Sequence, residues 1–316
     1  MPTFDLVVLG DANPDLVLRG GQVQPAFGQA EHLVEEATLT VGGSGGILAC
    51  GAAKLGLRVA LCAVVGDDVF GRYMHDELLR RNVDTRGLIA DPHRPTGITV
   101  VLSKPDDRGM LTMAGTIGDL RREALDPTLL ADTRHLHVSS YFLQQRLRPE
   151  LPRLFDEARE AGVTTSVDPN WDPSETWDGG LLELLARTDV FLPNAMEATR
   201  VAHISDLDVA IRRLAERANL VVVKTGDRGA VAGAREAHVR APAVPVAVVD
   251  TTGAGDSFDA GFLAAWLGGQ PLERALAIAN ACGSLSTREV GGVNGQATMA
   301  EALAALEGAP AQEPVP

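Results

Sequence analysis

Short, uninterrupted apolar runs recur along the chain, separated by amphipathic stretches and glycine-rich turns. A strand that helices cover on both faces reads as such a run, because neither side of it meets water. The runs that we assign to strands are residues 6–9, 59–65, 135–139, 164–168, 190–193, 220–224, 230–233 and 244–249. From residue 117 onward they alternate with helical stretches at the spacing of β-α-β units. This pattern predicts an α/β fold with a mostly parallel sheet.

Helices are predicted where apolar residues recur at helical spacing between those runs. They cover residues 47–55, 71–81, 149–161, 260–267 and 276–286, and Gly56 follows the first of them as a C-cap. Residues 97–113 instead alternate short apolar strands around a polar turn at 105–109. This segment, and an irregular glycine-rich stretch after the first strand, interrupt the α/β body. Two β segments placed in this way are able to pair into a small sheet.

The length and charge of the chain limit what it binds. A chain of 316 residues, 45% of them hydrophobic, predicts one large α/β domain with a smaller appendage. Lys and Arg number 28 against 42 Asp and Glu, which is a formal net charge of −14 at pH 7. Because a nucleic acid backbone attracts the opposite field, we expect no nucleic acid partner. A bound nucleotide must then be held by local backbone amides.

The first residues predict neither a signal peptide nor a membrane span. The apolar segment at 6–9 is too short for either, and no basic stretch precedes it. The three cysteines, Cys50, Cys62 and Cys282, lie in apolar stretches outside any CxxC motif, so we expect reduced core thiols. Both features favour the cytoplasm. The last residues, 308–316, are rich in Ala, Pro and Glu and are expected to be frayed.

The segment with the most chemical information reads DTTGAGDSFDAGF and spans residues 250–262. A predicted strand precedes it and a predicted helix follows, so several free N–H groups meet at one point along the helix dipole. Gly253, Ala254 and Gly255 let an anion approach the backbone closely. Asp256 would repel a resting phosphate there, which indicates a base that accepts a proton from a substrate hydroxyl.

The same residues also allow an ordinary structural role. Asp256 is a good helix N-cap, with Thr251 and Thr252 as turn residues. Short glycine motifs such as GxGD recur by chance, so this segment alone does not distinguish the two interpretations.

Ordered landmarks along the chain favour the functional interpretation. Besides the segment at 250–262, they are GDANPD at 10–15, GGSGG at 42–46, VVGDDVFG at 64–71, HVSSYFL at 137–143, VDPNW at 167–171, PNAMEA at 193–198 and KTGDRGAV at 224–231. In this order they resemble the ribokinase-like (PfkB-type) carbohydrate kinases over about residues 5–300. The resemblance implies a three-layer α/β/α sandwich with a mostly parallel central sheet and a small β-sheet lid.

The resemblance implies ATP-dependent phosphoryl transfer, so the chain is expected to be an enzyme. Asp256 is then the base that activates the acceptor hydroxyl. The amides of Gly253, Ala254 and Gly255 form an anion hole for the transferring phosphoryl group.

Further nucleotide-site positions follow from the same resemblance. Asn194 and Glu197 match the NxxE motif, in which Glu197 acts on Mg²⁺ through its waters. The remaining positions are Lys224, Thr225, Gly226, Gly229 and Asn280. Each has a plainer alternative: a capping box for Asn194 and Glu197, a solvated strand-end lysine for Lys224, and a polar helix edge for Asn280.

On the acceptor side, the resemblance implies Asn13 and Asp15, with Asp11 as a secondary candidate. Asp suits vicinal hydroxyls because one carboxylate can accept from two of them. An Asx turn is the local alternative for this segment. Gly42 and Gly43 match a turn whose backbone borders the sugar.

Two departures from the family pattern bear on the acceptor. Ile47 stands where the family usually has an asparagine that contacts sugar hydroxyls. Asp172 and Pro173 stand where several fructokinase-like and ketodeoxygluconate-kinase-like members carry arginine, and without that guanidinium an anionic acceptor is less favoured. A neutral sugar fits better. A nucleoside is the alternative if a base packs at Ile47, and a sensor without catalysis is a third hypothesis that the intact Asp256 disfavours.

The resemblance also implies a monovalent cation, K⁺, beside the anion hole at Asp250 and Thr252, although the loop at 287–294 diverges in spacing. It divides the chain into an α/β catalytic domain at 1–11, 42–94 and 117–307 and a β lid at 12–41 and 95–116. The lid would cover the sugar and pair between the subunits of a homodimer.

Overall fold

Strands and helices alternate along the computed structural model, which describes residues 2–21, 23–24, 27–104, 108–234 and 238–308. The strands are β1 Leu6–Leu9, β2 Asn13–Arg19, β3 Glu36–Gly42, β4 Val59–Gly66, β5 Val83–Asp84, β6 Leu88–Asp91, β7 Ile98–Ser103, β8 Arg108–Met113, β9 His135–Val138, β10 Thr164–Val167, β11 Val190–Phe191, β12 Leu220–Lys224, β13 Ala230–Gly233 and β14 His238–Ala241. The helices are α1 Ser44–Lys54, α2 Val69–Arg80, α3 Pro127–Ala131, α4 Leu151–Glu160, α5 Leu181–Leu185, α6 Ala195–Ala202, α7 Leu207–Ala215, α8 Ala254–Leu267, α9 Leu272–Ser286 and α10 Met299–Gly308. Within those ranges, no helix has the length and apolar character needed to cross a bilayer.

The central sheet has the order β14-β13-β12-β11-β10-β9-β1-β4-β5, and β6 pairs with β4. From β12 to β5, every neighbouring pair is parallel. At the other edge, β13 is antiparallel to β12 and β14 is antiparallel to β13. The mostly parallel sheet that the apolar runs predicted is confirmed.

Helices cover both faces of this sheet, because alternate residues of each strand point to opposite sides. Leu6 and Val8 of β1 join one hydrophobic core with residues of α1, α8 and α9. Val7 and Leu9 join a second core with residues of α4 to α7. This arrangement is the three-layer α/β/α sandwich that the resemblance implied.

The parallel strands bring distant residues to one edge. Asp11 follows β1, Asp168 follows β10, Asn194 follows β11, and Lys224 ends β12. Ligands of open α/β sheets bind outside the carboxyl ends of the strands. The topology therefore places the candidate residues where a site is expected.

A second, four-stranded sheet lies apart from the first, with the order β3-β2-β7-β8. The two predicted β segments do pair with each other, since β2 runs parallel to β7. We call these four strands the lid sheet. Residues 105–107 of the predicted polar turn and 309–316 of the predicted frayed tail lie outside the described residues.

The strand predicted at 244–249 is wrong. Pro242 and Pro245 cannot donate ladder hydrogen bonds, and Val248 and Val249 are exposed instead of covered by helices. The Val249 amide donates to the Thr287 carbonyl at 2.8 Å, outside any strand. The apolar run is therefore an extended segment outside both sheets, and we call residues 242–246 the extended wall. The helix predicted at 260–267 begins earlier, at residue 254.

Candidate active site

The turn before α8 leaves backbone amides unpaired. Gly253 is the N-cap and has φ 70°, so Asp256, in the first turn, is not the helix cap that its sequence also allowed. Within the described part of the chain, the Gly253 and Gly255 amides donate no hydrogen bond. The Ala254 amide differs from the prediction, because it donates to the Thr251 carbonyl at 3.3 Å. Two of the three predicted amides are thus available to an anion.

Asp256 lies in the first turn of α8, which packs against α1, and Ser44 of α1 favours its charged form. Burial raises the pKa of Asp256 to about 8, with the charges of Asp168 and Asp11 adding to the rise and Lys224 opposing it. A carboxyl group with a pKa near neutral can accept and release a proton during turnover.

Lys224 is neither solvated nor unpaired. Its Nζ lies 2.6 Å from Asp168 Oδ2 and 2.9 Å from Asp259 Oδ2, and the Lys224 side chain is only 13% exposed. The solvated strand-end alternative is therefore wrong. A Cβ at Gly255 would lie 3.9 Å from Lys224 Nζ, so the ammonium borders the turn that carries the free amides.

The predicted acceptor residues meet where β2 begins and β3 ends. Asn13 Nδ2 lies 3.5 Å from both Asp15 Oδ1 and Thr99 Oγ1 of β7. A Cβ at Gly42 would overlap the Asp15 carboxylate, and one at Gly43 would lie 2.9 Å from Asn13 Oδ1. The two glycines are thus needed because polar side chains fill the space beside them.

Three acidic side chains, Asp11, Asp15 and Asp250, lie close together on this side of the site. Burial raises the pKa of Asp15 to about 7, with Asp11 and Asp250 adding to the rise and Arg108 opposing it. Burial also raises the pKa of Asp11, although the Gly45 amide donates to Asp11 Oδ1 at 3.0 Å. Groups that donate hydrogen bonds, such as sugar hydroxyls, suit such a surface.

A chain of hydrogen bonds leads from the acceptor side to Ser44 of α1. Asn170 Nδ2 donates to Ser44 Oγ and to Ser140 Oγ, each at 3.1 Å, and Ser140 Oγ donates to Asp11 Oδ1 at 3.1 Å. Ser44 in turn lowers the pKa of Asp256, against the larger effect of burial. Ser140 and Asn170 have φ values of 52° and 53°, a left-handed conformation that non-glycine residues adopt at functional sites more than elsewhere.

A cavity of about 650 Å³ opens on the other side of the turn. Its lining includes Lys224, Gly226, Gly229, Ala254, Gly255, Phe258, Asn280, Gly283 and the extended wall at 242–246. One end of the cavity therefore lies against the turn that carries the free amides. Its size falls within the range of small-molecule sites.

Two of the predicted nucleotide residues hold the walls of this cavity in place. The Thr225 amide and hydroxyl both donate to the Gly229 carbonyl, at 2.8 and 2.9 Å. Asn280 Nδ2 donates to the carbonyls of Ala241 and Pro242, at 2.8 and 3.0 Å. These contacts fix the turn after β12 and the extended wall that replaces the predicted strand.

Asn194 and Glu197 form a capping box at the start of α6. Asn194 Oδ1 accepts from the Glu197 amide at 2.9 Å, and Glu197 Oε2 accepts from the Asn194 amide at 2.8 Å. Burial raises the pKa of Glu197 to about 7, and the charge of Asp168 adds to this rise. The local structural role is present, and it places a buried carboxyl group near Lys224.

Asp250 and Thr252 anchor the turn to the loop at 287–294. Asp250 Oδ1 accepts from the Thr252 amide at 2.9 Å, and Asp250 Oδ2 accepts from the Gly291 amide at 2.8 Å. Arg108, on β8, reaches over from the lid sheet and donates to Thr251 Oγ1 and Thr252 Oγ1, each at 3.2 Å. The lid sheet and the turn are therefore in direct contact.

The structure gives both departures from the family pattern a local explanation. Ile47 is buried, and a Cβ at Gly253 would lie 2.9 Å from its Cγ2, so Ile47 packs against the turn before α8. Asp172 is also buried and accepts from the amides of Ser174 and Trp177 at 2.9 and 2.7 Å. Asp172 therefore holds its own loop.

Sequence reasoning missed several residues of the site. They are Ser44, Arg108, Ser140, Asp168, Asn170 and Asp259. All but Arg108 lie inside the quoted landmarks, such as VDPNW and DSFDAGF, so the signal was present. Their roles depend on contacts across the sheet edge.

Comparison with known proteins places this chain and its fold in a known class. The sequence profile of the pfkB family carbohydrate kinases matches residues 3–299. The chain belongs to this family, as its landmarks predicted.

Curated relatives agree with this class. A fructokinase from Salmonella typhimurium is 32% identical over 265 residues, which cover 79% of this chain and 86% of the relative. An ATP-dependent ribose-1-phosphate kinase from Halopiger xanaduensis is 32% identical over 307 residues, which cover 94% and 96%.

Solved structures share the fold. A crystal structure from E. coli, described as a ribokinase II in complex with ATP and Mg²⁺, has a TM-score of 0.85 and 25% identity and covers 96% of this chain and 99% of that one. A double mutant of a Vibrio cholerae O395 fructokinase, bound to fructose, ADP and potassium, has a TM-score of 0.81 and 25% identity, with coverages of 97% and 99%. The protein is a sugar kinase of the PfkB family.

Proposed function

We propose that the chain transfers the γ-phosphoryl group of ATP to a hydroxyl group of a small neutral sugar. The observation that carries this proposal is the position of Asp256. The free amides of Gly253 and Gly255 lie on one side of it, and the hydrogen-bond chain to Asp11 lies on the other. A base in this place can reach a hydroxyl that attacks a phosphoryl group held at the amides.

Asp256 acts in its charged form. It takes the proton of the acceptor hydroxyl while the hydroxyl oxygen bonds to the γ-phosphorus and the bond to the β-phosphate oxygen breaks. The Gly253 and Gly255 amides stabilise the charge on the transferring group, and one such donor contributes about 3–4 kcal/mol in the transition state. Because burial raises the pKa of Asp256 to about 8, the charged form that accepts the proton becomes more populated as the pH rises toward 8.

The cavity beside the turn accommodates the nucleotide, with its phosphates toward Gly255 and its base toward the wall fixed by Asn280. Mg²⁺, when bound, neutralises phosphate charge. The residues fit an ion that keeps its waters: Glu197 and Asn194 would hold those waters, and no cluster of ligands for a bare metal occurs in the described ranges.

The charge of the acceptor side supports a neutral sugar. Asp11 and Asp15 are buried there, and Asp250 lies close enough to raise the pKa of Asp15. An anionic acceptor would add a like charge to this group. Hydroxyl groups would instead donate to Asp15 and to Asn13.

An acceptor panel tests this proposal. We would measure ADP release with fructose, ribose, ribose 1-phosphate and adenosine. We expect a neutral sugar to have a kcat/KM at least about 10-fold above that of ribose 1-phosphate, because the pocket repels the anion. A preference for ribose 1-phosphate would contradict the neutral acceptor. Absence of any acceptor-dependent ADP release would contradict the kinase itself.

The nucleoside alternative loses the feature that favoured it. A base was expected to pack at Ile47, but Ile47 is 3% exposed and lies against Gly253 and Gly292. Preferred phosphorylation of adenosine in the panel would restore this alternative.

We also propose that the lid sheet pairs two subunits. Leu39, Leu16, Val100 and Leu111 stand opposite one another across the four strands. Asp15 and Thr99, one position away on β2 and β7, point to the site, so this apolar row points away from it. Leu39 and Leu111 are 38% and 59% exposed, which suits a face that a second copy covers.

Two finer assignments complete the proposal. K⁺ would bind beside Asp250 and Thr252, and the potassium-bound fructokinase with the same fold supports this. The buried, unpaired thiols of Cys50, Cys62 and Cys282 support a cytoplasmic enzyme.

A further inference from the structure

Lys224 joins three segments that meet under the active site. Its Nζ lies 2.6 Å from Asp168 Oδ2, after β10, and 2.9 and 3.1 Å from the two oxygens of Asp259, in the second turn of α8. An ammonium group has three donors. All three donors of Lys224 are directed at protein carboxyl groups, so Lys224 is already paired before any phosphate binds.

Lys224 and its two carboxyl partners lie close to Asp256. Asp259 is three residues after Asp256 on α8, hence on the same side of the helix. A Cβ at Gly255, next to Asp256, would lie within 3.9 Å of Lys224 Cδ, Cε and Nζ. The groups whose charges act on Asp256 are Asp168, Lys224 and Asp11, from three different strand ends.

We propose that Lys224 is a positioning residue that acts through Asp256: Asp168 and Asp259 hold its ammonium as a fixed positive charge that stabilises the charged Asp256 carboxylate. Removal of Lys224 leaves the Asp168 carboxylate unpaired beside Asp256. Removal of Asp168 leaves an ammonium there without its closest partner. The two changes therefore act on Asp256 in opposite directions.

The protonation states of the carboxyl groups agree with this arrangement. Burial works against ionisation of Asp168, but the Lys224 ammonium and the other neighbouring groups together keep the pKa of Asp168 below its ordinary value. Burial raises the pKa of Asp259 well above its ordinary value, against the opposing effect of Lys224. Burial therefore favours the protonated form of Asp259, whereas Asp168 keeps its charge beside the Lys224 ammonium.

The test compares pH profiles of kcat/KM for the acceptor at saturating ATP and Mg²⁺. We expect Lys224→Met to move the rising limb upward by about one pH unit, which is about a tenfold loss on that limb, and Asp168→Asn to move it downward. The double variant should return the limb toward the wild-type position. Lys224→Arg, which keeps the charge, should leave the limb near wild type even if the neutral variants fold poorly.

A matched control uses a distant ion pair. Asp119→Asn removes a carboxylate of similar exposure that pairs with Arg94 and Arg146, and it should not move the limb. Shifts in the same direction for Lys224→Met and Asp168→Asn would overturn the inference. So would a Lys224→Met variant with a raised KM for ATP and an unmoved limb, since Lys224 would then bind the nucleotide.

The inference rests on the proposed function, and the two can fail separately. If Asp256 is not the base, Asp256→Asn keeps its turnover and its rising limb. If only the role of Lys224 is wrong, Asp256→Asn loses activity while the limbs of the Lys224 and Asp168 variants stay at the wild-type position.

Discussion

The proposed role of Asp256 as the base sets catalysis against stability at a single residue. A carboxyl group in a cleft beside Asp168 and Asp11 is costly to ionise, which is why its pKa rises to about 8. The same environment gives a base whose proton affinity suits an alcohol acceptor near neutral pH. The residue therefore destabilises the fold where it serves the reaction.

Replacement of this residue by a neutral isostere should separate the two effects. Asp256→Asn should lower kcat by about 10²–10⁴-fold, because the general base is lost. Between about pH 4 and pH 8 the folded state holds the Asp256 proton more tightly than the unfolded chain, so wild-type stability falls as pH rises through this window. Asp256→Asn has no carboxyl group here, so its stability does not fall in this way as pH rises. Its Tm should exceed that of wild type by roughly 2–4 °C above pH 8 and converge with it near pH 4.

Kinetics and thermal unfolding across that pH range check both parts. A Tm difference that grows toward acid pH would contradict the raised pKa. Unchanged turnover would remove Asp256 as the base.

At the scale of elements, the start of α8 depends on one backbone conformation. Gly253 has φ 70°, and its missing side chain leaves room for Gly292 and Ile47. The sequence pattern predicted this turn because only small residues occur in it. It did not predict where the helix begins, since hydrophobic periodicity says little about a first turn made of Ala, Gly and Asp.

Gly253→Ala should disrupt the turn beyond ordinary backbone strain. The new Cβ would lie 2.8 Å from Gly292 Cα and 2.9 Å from Ile47 Cγ2. We expect a loss of about 1–3 kcal/mol in the free energy of unfolding and a fall in kcat of about 100-fold, because the free amides move.

Gly269→Ala is the matched control for this change. Gly269 has φ 73° just beyond the other end of α8, but a Cβ there would meet nothing within 4 Å. Urea unfolding should show a lower free energy of unfolding for both variants, because each is strained at a positive φ. Steady-state kinetics should show a loss of kcat only for Gly253→Ala. Equal kcat values would contradict the role of the turn.

At the scale of the whole molecule, the two sheets contribute different parts of the candidate site. The central sheet brings Asp256 and the cavity beside it to its carboxyl edge, and the lid sheet carries Asn13, Asp15 and Arg108 to the same place. The side of the lid sheet that faces away from the site is apolar. An apolar face of this kind on a separate small sheet favours association with a second copy.

Leu111→Glu should therefore prevent dimerisation, because it places a charge in the apolar row of the lid sheet. Light scattering behind size exclusion should give twice the chain mass for wild type and the chain mass for this variant. Val209→Glu, at another exposed apolar residue on α7, should remain dimeric. A wild-type protein that stays monomeric at micromolar concentration would contradict the proposal.

The sequence by itself determined the α/β class, the family and the turn with its aspartate, because those depend on local periodicity and on contiguous small residues. Its apolar run at 244–249 led to a wrong strand prediction, because hydrophobicity alone cannot distinguish an apolar segment with prolines from a strand. Only the tertiary structure decided that Lys224 pairs with Asp168 and Asp259, that Asn170 connects Ser44 to the acceptor side, and that the lid touches the turn. Those contacts join residues 35 to 144 positions apart, and side chains so distant in sequence meet only once the parallel strands have aligned their ends.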